Sequence, residues 1–210
     1  MTREKGKNQL DTTTEARIKQ AARVVFHKKG YAATRTRDIA EEAGINLALL
    51  NYYFRSKEKL FEQIMLETMF GFMKTMVVIF NDASTTLEQK VSHMANNYID
   101  LILLEPEIPL FILSEIRRDA TAFVERMPVE ELFLNSVFIQ QYKAAVSAGR
   151  VAESNPLHFL MNLMGLVIFP FIASPFYKKI GKLSETQFNG LMEERKSLVP
   201  VWINAILKPT

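Results

Sequence analysis

Apolar side chains recur three and four residues apart along almost the whole chain, the period of helices that bury one face. Ile18, Ala22, Val25 and Phe26 form such a stripe in a first helix expected over 13–29, opened by Thr12-Thr13-Thr14-Glu15 in capping-box order and stopped by Gly30. Two short helices follow around Gly44, and then a long one over 57–80 that carries Leu60, Phe61, Ile64, Met65, Met69, Phe72, Met73 and Met76. Further helices are expected at 85–104, 108–120, 129–148, 156–173 and 184–207. Their limits come from Thr85-Thr-Leu-Glu88, Glu105-Pro106, Pro109, Pro128, Asn155-Pro156 and Ser184-Glu-Thr-Gln187, all cap, first-turn or breaker signals. No alternating strand pattern appears. The expected fold is all-α, with three small N-terminal helices and a bundle of about six behind them.

The two short helices carry the most specific chemistry. The first starts at Thr36, whose hydroxyl is placed to cap it, and buries Ile39, Ala40 and Ala43 at one-turn spacing. Gly44 ends it at a position that favours positive φ, Ile45 plugs the space between helices, and Asn46 caps a second helix over 47–53. Leu50 and Phe54 face inward, which leaves Leu47, Ala48, Asn51 and Tyr52 outward. A helix-turn-helix presents such an outer face to the DNA major groove. There Asn51 can pair bidentately with adenine, while Leu47 and Ala48 can touch thymine methyl groups. Ser56 caps the next helix, and its free N–H groups with the Lys57 ammonium make a phosphate site. Tyr53 and Phe54 are expected in the core.

Charge points the same way. Residues 1–60 hold 13 Lys and Arg against 7 Asp and Glu, a net of +6, whereas the remaining 150 hold 13 against 16. A segment that neutralises phosphates should be basic. Thr2-Arg-Glu-Lys-Gly-Lys-Asn-Gln reads as a solvated tail, with Arg3, Lys5 and Lys7 near the groove as the alternative.

Several chemistries are excluded or disfavoured. The chain has no cysteine, so disulfides and thiol chemistry are out. The sequence calls for no metal and no cofactor. With only His27, His93 and His158, it contains no His-Glu-x-x-His, no phosphate-cradling Gly loop and no nucleophile elbow, so no catalytic residue is assigned. The apolar stretch 157–173 is interrupted by His158, Asn162 and Pro170 and falls short of the ~20 residues of a spanning helix, so no membrane is expected. No secretory signal is visible, and cytoplasm is the expected location.

Residues 10–65 resemble the N-terminal DNA-binding domain of the TetR family of bacterial transcriptional regulators. The resemblance is carried by an amphipathic first helix, Thr36-Arg37-Asp38-Ile39-Ala40, Ala43-Gly44-Ile45 at the turn, and Asn51-Tyr52-Tyr53-Phe54 ahead of Ser56-Lys57-Glu58. It implies that Thr36 and Tyr52 hold phosphates, that Arg37 and the outer face of the third helix read base edges, and that Lys57 anchors the backbone. Leu49 stands where many members carry a small hydroxyl residue and Asn51 where many carry an aromatic one. The candidate DNA-binding set is therefore Thr36, Arg37, Asn46, Leu47, Ala48, Asn51, Tyr52 and Lys57.

A flexible basic tail is expected at 1–10, and the resemblance implies a DNA-binding domain at 11–56 and an effector-binding and dimerisation domain at 57–210. The expected function is a repressor released from an inverted-repeat operator on double-stranded DNA by a small, largely apolar effector. The alternatives are a DNA-binding adaptor governed by a protein partner and a helical-bundle enzyme. A homodimer is expected through 156–173 and 184–207, because a helix apolar on every side needs more partners than one subunit supplies.

The effector site is not assigned. Phe70, Met73, Phe111, Phe138, Met164 and Phe169 are as fit for a core as for a pocket. His93, Asn97 and Asp100 read as a solvated stripe, and Glu115 with Arg117, Arg118 and Asp119 as a surface charge cluster.

Overall fold

The computed structural model describes residues 2–128 and 130–208, with side chains from residue 13 onward except at 27, 130 and 133. The chain is α-helical, and its contacts divide it into two compact units, Met1–Met69 and Phe70–Thr210. The expected tail side chains, Arg3, Lys5 and Lys7 among them, and His27 lie outside the described residues.

The first unit contains α1 (Thr2–Ala33), α2 (Thr36–Glu42), α3 (Leu47–Tyr53) and the first turns of α4 (Lys57–Asn81). α1 runs through residue 13 rather than starting there, but it does break at Gly30, whose φ of 72° and ψ of 164° leave the helical region. Ile18, Ala22, Val25 and Phe26 are buried, as the stripe requires, and Ile39, Leu50, Phe54, Leu60 and Ile64 close the core over them. Phe61 meets Phe26 edge-on at 5.1 Å and Tyr31 at 4.6 Å between ring centroids. Each fully buried side chain of this size stabilises by roughly 1.5–3 kcal/mol, so about ten of them can hold so small a unit.

The second unit is built on α5 (Leu87–Leu104), which packs against α8 (Val137–Ser147), α9 (Pro156–Ile172) and α11 (Glu185–Leu207). Between them lie α6 (Ile108–Arg118), α7 (Ala120–Glu125) and α10 (Ser174–Gly181). Phe138 sits at the middle of the core, 4.8 Å from Phe80 and 5.1 Å from Phe159. Lys90, completely buried, donates to the Thr85 carbonyl at 3.0 Å, to its hydroxyl at 2.6 Å and to the Asp82 carbonyl, which satisfies the ammonium that burial would otherwise penalise.

Several boundaries differ from those expected, each for a local reason. The box that opens α5 is one residue later: Thr86 Oγ accepts from Gln89 N–H and Gln89 Oε1 from Thr86 N–H. The helix expected over 108–120 stops at Arg118, because Asp119 is extended and its carboxylate accepts from Ala122 N–H to start α7. The helix expected over 129–148 begins at Val137, where Ser136 caps it; a π-helical turn, Glu130–Leu134, precedes it. α10 was not expected. Ala173 breaks the apolar run, Pro175 fits the first turn of a new helix, and α9 and α10 meet at 65°.

By length and composition α4 could cross a membrane, but Leu60, Ile64, Met65, Met69, Phe72, Met73, Met76 and Phe80 are all buried within the protein. Glu115, expected on the surface, is 7% exposed and holds Arg118 at 2.6 Å. Met73, Phe111 and Phe138 are buried.

Candidate nucleic-acid interface

The geometry of the helix-turn-helix is set by a few backbone groups. Thr36 is not the cap of α2. That place is taken by Arg35, in extended conformation, whose N–H donates to Asp38 Oδ2 at 2.9 Å. Lys29 adds an ion pair to Asp38 Oδ1 at 3.0 Å. The Arg35 N–H first, and the Lys29 ammonium after it, hold the Asp38 carboxyl below its ordinary range. Thr36 therefore occupies the first helical position, half-buried, with the exposed Arg37 beside it.

α2 ends in a Schellman turn. Gly44 N–H donates to Glu41 O and Ile45 N–H to Ala40 O, both at 3.0 Å, with Gly44 at φ 61°. Two residues on, Asn46 Oδ1 accepts from Leu49 N–H at 2.8 Å and opens α3. So one residue, Ile45, separates a glycine turn from an asparagine cap, and the axis of α3 is fixed by both.

Around α3 the sidedness is as the sequence requires. Leu50 is completely buried and Phe54 nearly so, while Leu47, Ala48, Asn51 and Tyr52 are exposed, Tyr52 at 76%. Leu49 and Tyr53 lie between, and the Tyr53 ring meets Tyr52 edge-on at 5.3 Å. The structure thus puts Leu47, Ala48, Asn51 and Tyr52 on one accessible surface. Exposed Arg35 and Arg55 flank α2 and α3 in the chain. Neither was singled out from sequence, although two cations beside the caps of a basic segment were a readable signal.

Lys57 has a second occupation. Its ammonium donates to Tyr31 O at 2.8 Å and Thr34 O at 2.9 Å and lies 4.2 Å from the Tyr31 ring centroid. Thr34 is itself buried and donates to Gly30 O at 2.7 Å. An ammonium has three protons, and the Tyr31 and Thr34 carbonyls take two of them. Lys57 ties the chain leaving α1 to the start of α4, where Ser56 Oγ accepts from Lys59 N–H. Among the described residues no three His, Asp or Glu side chains come together as metal ligands.

In the second unit, α9 and α11 each bury one side and expose the other. Phe159, Leu163 and Val167 of α9 are buried, whereas Leu157, Met161 and Phe169, spaced four or eight apart, are exposed. On α11, Met192, Val199 and Ile203 are buried and Leu191, Leu198, Val201 and Ile206 exposed. A cavity of about 560 Å³ lies among α9, α10 and α11, and of the six candidate pocket residues Phe169 lines it.

Residues 18–64 match the family profile of bacterial regulatory proteins, tetR family. Over 206 residues the chain is 22% identical to a Bacillus subtilis protein named "Probable HTH-type transcriptional regulator YttP", covering 95% of this chain and 96% of that one. Its fold is similar to that of a Mesorhizobium loti protein assigned to the TetR-family transcriptional regulators, with a TM-score of 0.61, 19% identity, and 94% and 98% of the two chains covered. It is also similar to the transcriptional regulator FadR of Bacillus subtilis in complex with stearoyl-CoA, with a TM-score of 0.58, 15% identity, and 91% and 98% covered.

Proposed function

We infer that this chain, which is a member of the TetR family and a sequence-specific DNA-binding transcriptional regulator rather than an enzyme, is a homodimeric repressor that a small apolar effector releases from an inverted-repeat operator. The observation that carries the DNA-reading part is the outward set Leu47, Ala48, Asn51 and Tyr52 around a fully buried Leu50. Asn51 reads adenine through a bidentate pair, Leu47 and Ala48 meet thymine methyl groups, and Arg37 reaches a neighbouring base. Thr36, Asn46, Tyr52 and the remaining proton of Lys57 hold phosphates and fix the register. Exposed Arg35 and Arg55 add charge.

The dimer reading is supported by the exposed apolar sides of α9 and α11, since Met161 at 65% and Val201 at 62% exposure are unusual for a helix pair without a partner. Two copies joined there read half-sites ~34 Å apart on one face of DNA. A ligand that favours another spacing weakens DNA binding by linkage. That the similar FadR holds stearoyl-CoA supports an effector with a long apolar part. The protein acts in the cytoplasm, without a membrane.

The test is selection of sites from a random DNA pool by the purified protein, with sedimentation of the free protein alongside. An enriched inverted repeat and a dimeric mass are expected. An enriched single half-site with a monomeric mass would refute the dimer, and no enrichment would refute the sequence reader.

A further inference from the structure

Arg195 is unlike the other cations of the second unit. It lines the cavity among α9, α10 and α11, whose wall is otherwise mostly apolar, with Phe169, Leu191 and Leu198 on it. Its Nη2 donates to Leu166 O at 2.5 Å. That carbonyl needs a donor because Pro170, four residues on, has no N–H to give it. The guanidinium carbon lies over the Trp202 ring, 5.0 Å from its centroid, within cation–π range. Its Nε–H, however, is buried and has no hydrogen-bonding partner among the described residues.

An unpaired buried donor on a charged group is costly, and it is a reason for a ligand to bind. Burial pushes the Arg195 guanidinium below its ordinary pKa, the same cost seen from the proton's side. A carboxylate placed across Nε–H and an adjacent N–H would satisfy it in the side-on geometry that guanidinium groups favour. The tail of such a ligand would bury apolar surface on the cavity wall, and the volume suits a small molecule. Glu194 also lines the cavity but is exposed, so water screens its repulsion of an anion. Gly165 is on the wall too, and a Cβ there would meet no heavy atom within 4 Å.

We propose that this cavity is the effector site, and that it takes an apolar molecule ending in a carboxylate, whose head is held by Arg195. The inference rests on the effector-responsive reading above and makes it specific. Because α9 and α11 also carry the proposed subunit contact, the ligand and the second copy meet on one face, which gives a direct route from binding to subunit geometry.

The test uses Trp202, the single tryptophan of the chain, as a fluorescent reporter beside Arg195. The intact protein is titrated with decanoate, decan-1-ol and decyltrimethylammonium, which share a tail and differ in head. Saturable change with decanoate, at least ten-fold tighter than with the alcohol and absent with the cation, is expected. Arg195→Gln should abolish that preference. Gly165→Leu, which leaves Arg195 and its bond to Leu166 in place, should weaken the decanoate and the alcohol alike by filling the cavity.

Equal affinity for acid and alcohol, or full affinity in Gly165→Leu, would overturn the proposal. So would a Trp202 signal that follows protein concentration and ignores decanoate, which would make a second copy the occupant. Binding as expected with no loss of operator affinity would leave the site standing and refute its role as effector site, so the two readings fail separately.

Discussion

Replacing Lys57 by methionine separates two roles that the sequence alone assigns to one phosphate contact. The ammonium donates to Tyr31 O and Thr34 O at 2.8 and 2.9 Å and lies over the Tyr31 ring. Hydrogen bonds from a charged donor contribute roughly 1.5–3 kcal/mol each. The acceptors here are neutral and Lys57 is half-exposed, so water recovers part of each bond. A loss of about 2 kcal/mol follows for the pair, with the methionine stem keeping most of the ring contact. That is roughly a 30-fold shift in the local opening equilibrium. Hydrogen exchange of the intact free protein, read by mass spectrometry over α1–α3, should therefore show protection falling about 30-fold in the variant. DNA affinity should fall as well, by more than a single phosphate contact explains. If protection stays within two-fold of wild type while DNA binding is lost, the carbonyl ties contribute nothing and Lys57 is a phosphate contact alone.

Gly44→Ala should destabilise the first unit by ~1–2 kcal/mol through backbone conformation alone, because φ is 61° and the added Cβ meets nothing within 4 Å; an unchanged melting temperature would mean that the turn relaxes. Asp38, whose carboxyl sits below its ordinary value of 3.8, stabilises the folded form fully above that value and loses the contribution as pH falls through the lower folded value. Asp38→Ala should flatten the acid limb of stability against pH, and an identical limb would show that the Arg35 and Lys29 contacts are not formed in solution. Val201→Glu places a charge on the exposed side of α11 and should give a monomer on sedimentation, whereas a dimeric variant would remove that side from the interface. Asn51→Ala should cost ~1–3 kcal/mol for the preferred operator and little for random DNA; an equal loss on both would make Asn51 a backbone contact.

The helix-turn-helix was legible because its shape is written in local chemistry. Gly44, Asn46 and Ser56 act on backbone groups within a few residues of themselves, and each does what its type predicts. Thr36 was misplaced by one residue because the capping came from a backbone N–H and Asp38 rather than from the hydroxyl. α10 stayed hidden since Ala173-Ser174-Pro175 sits against an apolar run that reads as one helix, and Asn135-Ser136 was passed over because Pro128 offered an earlier start. What could not be read at all depends on contacts distant in sequence. Pro170 announces a free carbonyl at Leu166, but that Arg195 answers it, 29 residues on, is known only once α9 and α11 are packed. The same holds for Lys57 at the end of α1, 26 residues earlier at Tyr31, and for the burial of Glu115.

Site selection from a random DNA pool, followed by binding of the enriched site against salt concentration for wild type and Arg37→Ala, tests the account most directly. An inverted repeat should emerge, with half-sites about one helical turn apart. Arg37→Ala should bind it with lower discrimination over random DNA and a nearly unchanged salt slope. No enriched sequence, or an Arg37→Ala protein that discriminates as wild type does, would contradict the assignment of base reading to this face.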